Sequence, residues 1–160
     1  MTVDVRPFGE ADMEWAYRLL FPRGGPRRVA SRGLLHDPLE LPGFVAWLKG
    51  ARIGLTTYRT EGEECELLTL DSSTENAGAG TALIDAVKAA ARSVGCRTVW
   101  LITTNDNTHA LRFYQRRGFR IREIRTGAVD RERETIKPEI PALGNDGIPI
   151  SDEIELVIDL

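Results

Sequence analysis

Two segments of this 160-residue chain carry residue types suited to catalysis. The first, Leu70-Asp71-Ser72-Ser73-Thr74-Glu75-Asn76-Ala77-Gly78-Ala79-Gly80-Thr81, reads as a strand end, a loop and a helix start. Small residues at 77–80 let a ligand approach the main chain, and the N–H groups at the positive end of a helix dipole suit a phosphate. The third glycine of a GxGxxG motif would fall on Leu83, and no Lys-Ser or Lys-Thr follows to make a P-loop. With no ligand, the same residues would simply make a tight strand-to-helix turn. The second segment runs from Asn107 to Phe119 and includes Ala110, Phe113, Tyr114 and Gly118. At about 100° per residue, Asn107 and Tyr114 share one helix face roughly 10 Å apart along the axis, an amide and a phenol in line. Taken alone, Tyr114 beside Phe113 also reads as a core aromatic.

The elements that must hold these segments follow from apolar periodicity. Val3–Arg6 alternates as a strand, and Met13, Ala16, Tyr17 and Leu20 make the apolar face of a helix over Glu10–Leu20. Residues 21–42, broken by Pro and Gly, are expected to be loop or short helix. Phe44–Leu48, Ile53–Tyr58 and Glu64–Leu70, separated at Lys49-Gly50 and Glu61-Gly62, predict an antiparallel meander. A helix then opens at Gly78 with Leu83, Val87, Ala91 and Val94 on one face and Gly95 as its C-terminal cap. The strand after it, Arg97–Thr103, is apolar on both faces at Val99–Ile102, which predicts a βαβ crossover from Glu64–Leu70. A second helix, capped by Asn105 or Asp106, stops at Gly118, and Phe119–Arg125 and Glu153–Ile158 are the last strands. Residues 129–151 read as a long loop of the kind that is more often functional than filler.

Composition narrows the function. No repeat or linker divides the chain, so 1–160 is expected to be a single domain. A net charge of −3 lacks the basic excess that nucleic-acid binding needs. The longest apolar run is five residues, Phe44–Leu48, against about 20 for a membrane span. With no secretory pattern at residues 1–6, the expected location is the cytoplasm. Cys65 and Cys96 form no CxxC unit, and His36 and His109 are far apart, so no metal site is expected and both thiols are expected to be buried.

In this order and separation, the two segments resemble the GCN5-related N-acetyltransferase superfamily. Its acyl-CoA motif, Arg/Gln-x-x-Gly-x-Gly/Ala, reads here Glu75-Asn76-Ala77-Gly78-Ala79-Gly80, and its Asn-x-x-Ala-x-x-Phe-Tyr-x-x-x-Gly-Phe motif matches at every named position from Asn107 to Phe119. Glu75 departs from the usual Arg or Gln, removing a positive contact. The resemblance implies an α+β fold: a central mixed, mostly antiparallel sheet of six to seven strands, with parallel fourth and fifth strands splayed apart and helices flanking it. It implies acetyl-CoA as co-substrate. Asn76, Ala77, Gly78, Ala79, Gly80 and Thr81 would bind its pyrophosphate, and Leu70, Asp71, Ser72 and Asn107 its pantetheine arm. Homodimers are a tendency of the family.

The same resemblance puts Tyr114 near the sulfur, where a phenol with a pKa of about 10 can protonate a departing thiolate. Glu66, then Glu64, is the candidate base for the amine, the two sharing one strand face. A carboxylate needs burial or a relaying water for that task, and either can equally be a solvated strand residue. His109 reads as a surface residue. From Arg112 to Arg133 there are eight arginines against three acids, whereas 139–160 holds six acids and no Lys or Arg. These read first as two solvated faces. In a sharper reading Asp152, Glu153 or Glu155 attracts a cationic amine, with Glu64 as a further acceptor contact. The expected activity is therefore direct acetyl transfer from acetyl-CoA to an amine on a small molecule or peptide. The alternative is a non-catalytic acyl-CoA-binding or regulatory module, and a dinucleotide oxidoreductase is disfavoured by the missing glycine.

Overall fold

The computed structural model describes residues 2–73 and 77–160. In chain order its elements are β1 (Asp4–Pro7), α1 (Met13–Leu20), β2 (Val29–Ser31), β3 (Leu34–His36), β4 (Gly43–Leu48), β5 (Ala51–Glu61), β6 (Glu64–Ser72), α2 (Ala79–Ser93), β7 (Thr98–Thr104), α3 (Thr108–Arg116), β8 (Arg120–Arg125), α4 (Ala128–Thr135) and β9 (Glu153–Asp159). Seven strands form a mostly antiparallel sheet in the order β1-β4-β5-β6-β7-β9-β8, and β2 and β3 form a separate two-stranded sheet. The fold class is the mixed α/β one expected. The chain divides into two compact units, residues 1–29, 37–99 and 160 in one and 30–36 and 100–159 in the other.

In the first unit the meander forms as its turn chemistry predicts. β4, β5 and β6 pair antiparallel, with Lys49 and Gly50 both at positive φ in the β4–β5 turn. The strands carry a device that alternation alone does not reveal. Thr57 pairs with Thr69 but Tyr58 pairs with Leu67, so Leu68 is the extra residue of a bulge in β6. Three buried threonines satisfy the polar groups there: Thr56 Oγ1 donates to the Thr69 carbonyl (2.7 Å), Thr57 N donates to Thr69 Oγ1 (3.0 Å), and the Thr57 and Thr69 hydroxyls share a 2.8 Å bond. α2 buries Leu83, Val87 and Ala91, as its stripe requires. Its first turn lies close to β5 because Gly54 has no side chain: a Cβ there would come within 3.5 Å of Ala79 Cβ and 3.1 Å of Leu83 Cδ1. Gly43 is tighter still, since a Cβ would sit 2.2 Å from the Thr56 carbonyl oxygen. Gly43→Ala is accordingly expected to cost about 1–3 kcal/mol, read as a fall in the urea midpoint at unchanged slope.

Three expectations change in the second unit and at its edge. Residues 21–42 include the β2–β3 hairpin, hidden because each strand is only three residues long; its turn is Arg32-Gly33, both at positive φ. Residues 129–151 are not all loop, because α4 occupies Ala128–Thr135. Its sequence, AVDRERET, has no apolar stripe, and it buries only Val129 and Glu132. Finally, α3 is capped by neither Asn105 nor Asp106 but by Asn107, whose side chain accepts from Ala110 N at 3.1 Å.

Candidate functional site

In the first unit, β6 delivers Leu70, Asp71 and Ser72 to its C-terminal end, the last two exposed. Ser72 Oγ donates to the Ile53 carbonyl (3.1 Å), tying this end to β5. α2 begins behind Gly78, which sits at φ 80°, ψ 7°, a left-handed conformation that glycine adopts without strain. Among the described residues no side-chain cap is made at the N-cap, Gly78, and no acid stands in the first turn, which includes Ala79, Gly80 and Thr81. Among the described residues, the 15-residue helix therefore presents the positive end of its dipole with no acid in its first turn. Ala77 is half-buried and Ala79 buried, whereas Gly78 is exposed. Asn76 and Glu75 lie outside the described residues.

The candidate bases stand earlier on β6. Glu66 is 2% exposed, and its Oε1 accepts from Arg59 Nε at 2.8 Å in a buried ion pair with a cross-strand neighbour. Glu64 is half-buried and accepts from Thr98 Oγ1 at 3.3 Å. Between them Cys65 is fully buried, and burial pushes its thiol up to about 12, as befits a core residue rather than a nucleophile.

In the second unit, α3 carries Asn107 and Tyr114. Tyr114 is 8% exposed, its ring edge-on to Phe113 (centroids 5.2 Å) and to Phe119 (5.4 Å). The Arg117 guanidinium covers the Phe113 ring at 3.5 Å. The aromatic motif thus fixes the phenol ring from two sides. Asn107 Oδ1 is engaged in the helix cap, and His109 is exposed as expected. The two residues that failed as caps act as staples for the following loop. Asn105 Oδ1 accepts from Ser151 N and Asp152 N, each at 3.0 Å, and Asp106 Oδ2 accepts from Asn145 N at 3.0 Å. Asp152 itself accepts from Gly127 N through Oδ1 (2.8 Å), which fixes the start of α4.

The acidic and basic stretches are not two solvated faces. Glu153 and Glu155 are 2% and 1% exposed. Arg125 reaches both, at 2.8 Å to Glu153 Oε1 and 2.6 Å to Glu155 Oε1. Arg32 Nε and Arg122 Nε also donate to Glu155, at 2.7 and 2.6 Å. Burial alone would raise the Glu155 carboxyl, but the hydrogen bonds from Arg32, Arg125 and Arg122 outweigh it and hold the group at about 2. With three guanidiniums on it, this carboxylate has its charge already neutralised. Because its folded pKa lies below the ordinary 4.5, its stabilisation is whole above pH 4.5 and disappears as pH falls through about 2. A Glu155→Gln variant should therefore differ from wild type in urea midpoint at pH 7 and converge with it near pH 2. No sequence motif marks this network; the alternation of Glu153 and Glu155 within an apolar strand was the available signal.

Among the described residues no group of three or more His, Cys, Asp or Glu could hold a metal, and no helix is long and apolar enough to cross a membrane. The fold is thus mixed α/β, with the start of α2 following a strand in one unit and an aromatic-packed tyrosine on α3 in the other. The family model of the acetyltransferase (GNAT) family matches residues 9–119, and the chain belongs to that family. It is 44% identical over 138 residues to the protein YxbD of Bacillus subtilis (strain 168), covering 86% of each chain. Its fold is similar to that of a Bacillus subtilis acetyltransferase solved in complex with CoA (TM-score 0.78, 22% identity, 99% of each chain covered). It is also similar to that of a GNAT family acetyltransferase from Elizabethkingia anophelis with acetyl-CoA bound (TM-score 0.77, 21% identity, 99% of this chain and 98% of that one).

Proposed function

We propose that the chain is a single-domain N-acetyltransferase that moves an acetyl group from acetyl-CoA directly to an amine on a small molecule or peptide. The observation that carries this reading is the start of α2, a left-handed glycine followed by a helix that, among the described residues, has neither a side-chain cap nor an acid in its first turn. That donor set fits a pyrophosphate, with Asn76, Ala77, Gly78, Ala79, Gly80 and Thr81 as its binding segment. Leu70, Asp71, Ser72 and Asn107 take the pantetheine arm. Membership in the acetyltransferase family supports the choice of co-substrate, as do the relatives of the same fold solved with CoA or acetyl-CoA.

The roles follow from proton bookkeeping. An ammonium must lose a proton before its nitrogen can attack; Glu66 takes it, with Glu64 the next candidate. The C–N bond forms, the C–S bond breaks, the Tyr114 hydroxyl gives its proton to the thiolate, and the second proton of the acylated nitrogen leaves to restore the phenol, while Glu66 releases the first to solvent. Asp152 and Glu64 remain acceptor-side contacts in this scheme; Glu155, neutralised by arginines, contributes by fixing the framework.

One observation favours the second reading, a non-catalytic acyl-CoA-binding module: the carboxylate of Glu66 is already held by Arg59. A panel of amines, aminoglycoside-type antibiotics, polyamines and peptide N-termini incubated with acetyl-CoA and a thiol reagent separates the two. Thiol release with any acceptor, reduced by Glu66→Gln, supports the enzyme. Binding of acetyl-CoA with no thiol release across the panel would leave only the module.

A further inference from the structure

We propose that β8 is a self-association edge, where a second copy of this chain lays its own β8 antiparallel to this one across a two-fold axis. β8 stands at the end of the seven-stranded sheet, next to β9, and Arg120–Ile124 are all exposed. The strand carries neither the proline nor the lysine that commonly guards such an edge. Two of its residues are apolar, and Ile121 is 43% and Ile124 57% exposed. An edge of this kind is a template for another strand.

The order of the residues selects the occupant. β8 reads Arg120-Ile121-Arg122-Glu123-Ile124-Arg125, the same in both directions except at its centre, where the two unlike residues are opposite in charge. Pairing two copies about the midpoint of residues 122 and 123 therefore sets Ile121 against Ile124 of the partner subunit and Arg122 against Glu123 of the partner subunit, each contact made twice. A shift of one residue either way sets isoleucine against a charged side chain and brings two Arg122 or two Glu123 together. An unrelated peptide has no reason to match this symmetry. The one like-charged pair, Arg120 against Arg125 of the partner subunit, is offset within each chain, since Arg120 lies 3.4 Å from Asp159 and Arg125 holds Glu153 and Glu155.

A regular strand could not use this register, because residues three apart lie on opposite faces. The bulge in β8 changes that. Ile121 pairs with Leu156 and Glu123 with Glu155, so Arg122 is the extra residue. Arg122 and Arg125 both reach Glu155, and Glu123 stands opposite it, which puts these three on one face. Ile121 and Ile124, opposite Leu156 and Ile154, share the other. A bulge commonly protects an edge, but here it restores the match of faces that the two-fold pairing needs. Glu123 is available for the new contact, its side chain 55% exposed with one oxygen on Arg125 at 3.0 Å.

Sedimentation equilibrium of the full chain reads the association. A six-residue edge is small against the roughly 800 Å² per partner of a stable interface, so the mass should climb from one chain toward two between about 10 μM and about 1 mM. Ile124→Lys should raise the dissociation constant about tenfold or more, whereas Leu143→Lys, at a residue 61% exposed outside β8, should leave it unchanged. Both variants should keep the wild-type urea midpoint, since both side chains are exposed. Disulfide trapping reads the register. Ile121→Cys and Ile124→Cys, prepared separately and mixed in a glutathione redox buffer, should cross-link, because opposed Cβ atoms lie about 4.5–5.5 Å apart. Either variant alone should not, its two new thiols standing three positions out of line, and the native Cys65 and Cys96 are buried. A wild type that stays one chain at about 1 mM, a dimer untouched by Ile124→Lys, a mixture that fails to cross-link, or one variant cross-linking by itself as readily as the mixture would overturn the proposal.

Discussion

Tyr114→Phe lowers kcat about 100-fold or more on the acceptor that the amine panel identifies, while acetyl-CoA affinity and the urea midpoint stay close to wild type. The variant keeps the edge-on packing of the ring on Phe113 and Phe119, which involves carbon atoms alone. It removes one hydroxyl, the proton source for the departing thiolate. Because that proton moves only as the C–S bond breaks, the loss falls on kcat rather than on binding. Steady-state thiol release together with calorimetry checks both halves. Full activity in the variant would mean that solvent or another group protonates the sulfur.

The second large effect is on stability. Arg125→Ala leaves Glu153 and Glu155, both almost wholly buried, short of a cation that bridges them. Removing one partner from a buried ion pair costs about 3–5 kcal/mol, because the stranded charge cannot reach water. In a domain of this size that corresponds to a Tm lower by roughly 10 °C, with a parallel fall in urea midpoint. Arg125→Lys should recover only part of the loss, since an ammonium cannot place two nitrogens on two carboxylates at once. A midpoint unchanged in the alanine variant would show that Arg32 and Arg122 suffice.

The sequence was most readable where one physical signal acts alone. Leu83, Val87 and Ala91 announce α2 by spacing, and all three are buried; Val94, placed on the same stripe, is 63% exposed because the helix ends at Ser93 and Val94 is already its C-cap. The meander was legible from its glycine turns. What escaped was structure held by polar groups. α4 has no apolar stripe, the β2–β3 strands are too short for alternation to register, and the bulge at Leu68 depends on hydroxyls from two strands. The site divides the same way. Gly78 and Tyr114 were legible as motif positions, and the structure gives each a defined environment. The arginine–glutamate network was not, because Arg32 and Glu155 are 123 residues apart and nothing local joins them.

The central claim is that main-chain donors at the start of α2 bind the pyrophosphate of acetyl-CoA, and calorimetric titration of the full chain tests it most directly. Wild type should bind acetyl-CoA at one site per chain. Gly78→Val, which forces a β-branched residue toward φ 80°, should weaken that affinity at least tenfold as the first turn shifts. No heat of binding in wild type, or equal affinity in the variant, would contradict the account.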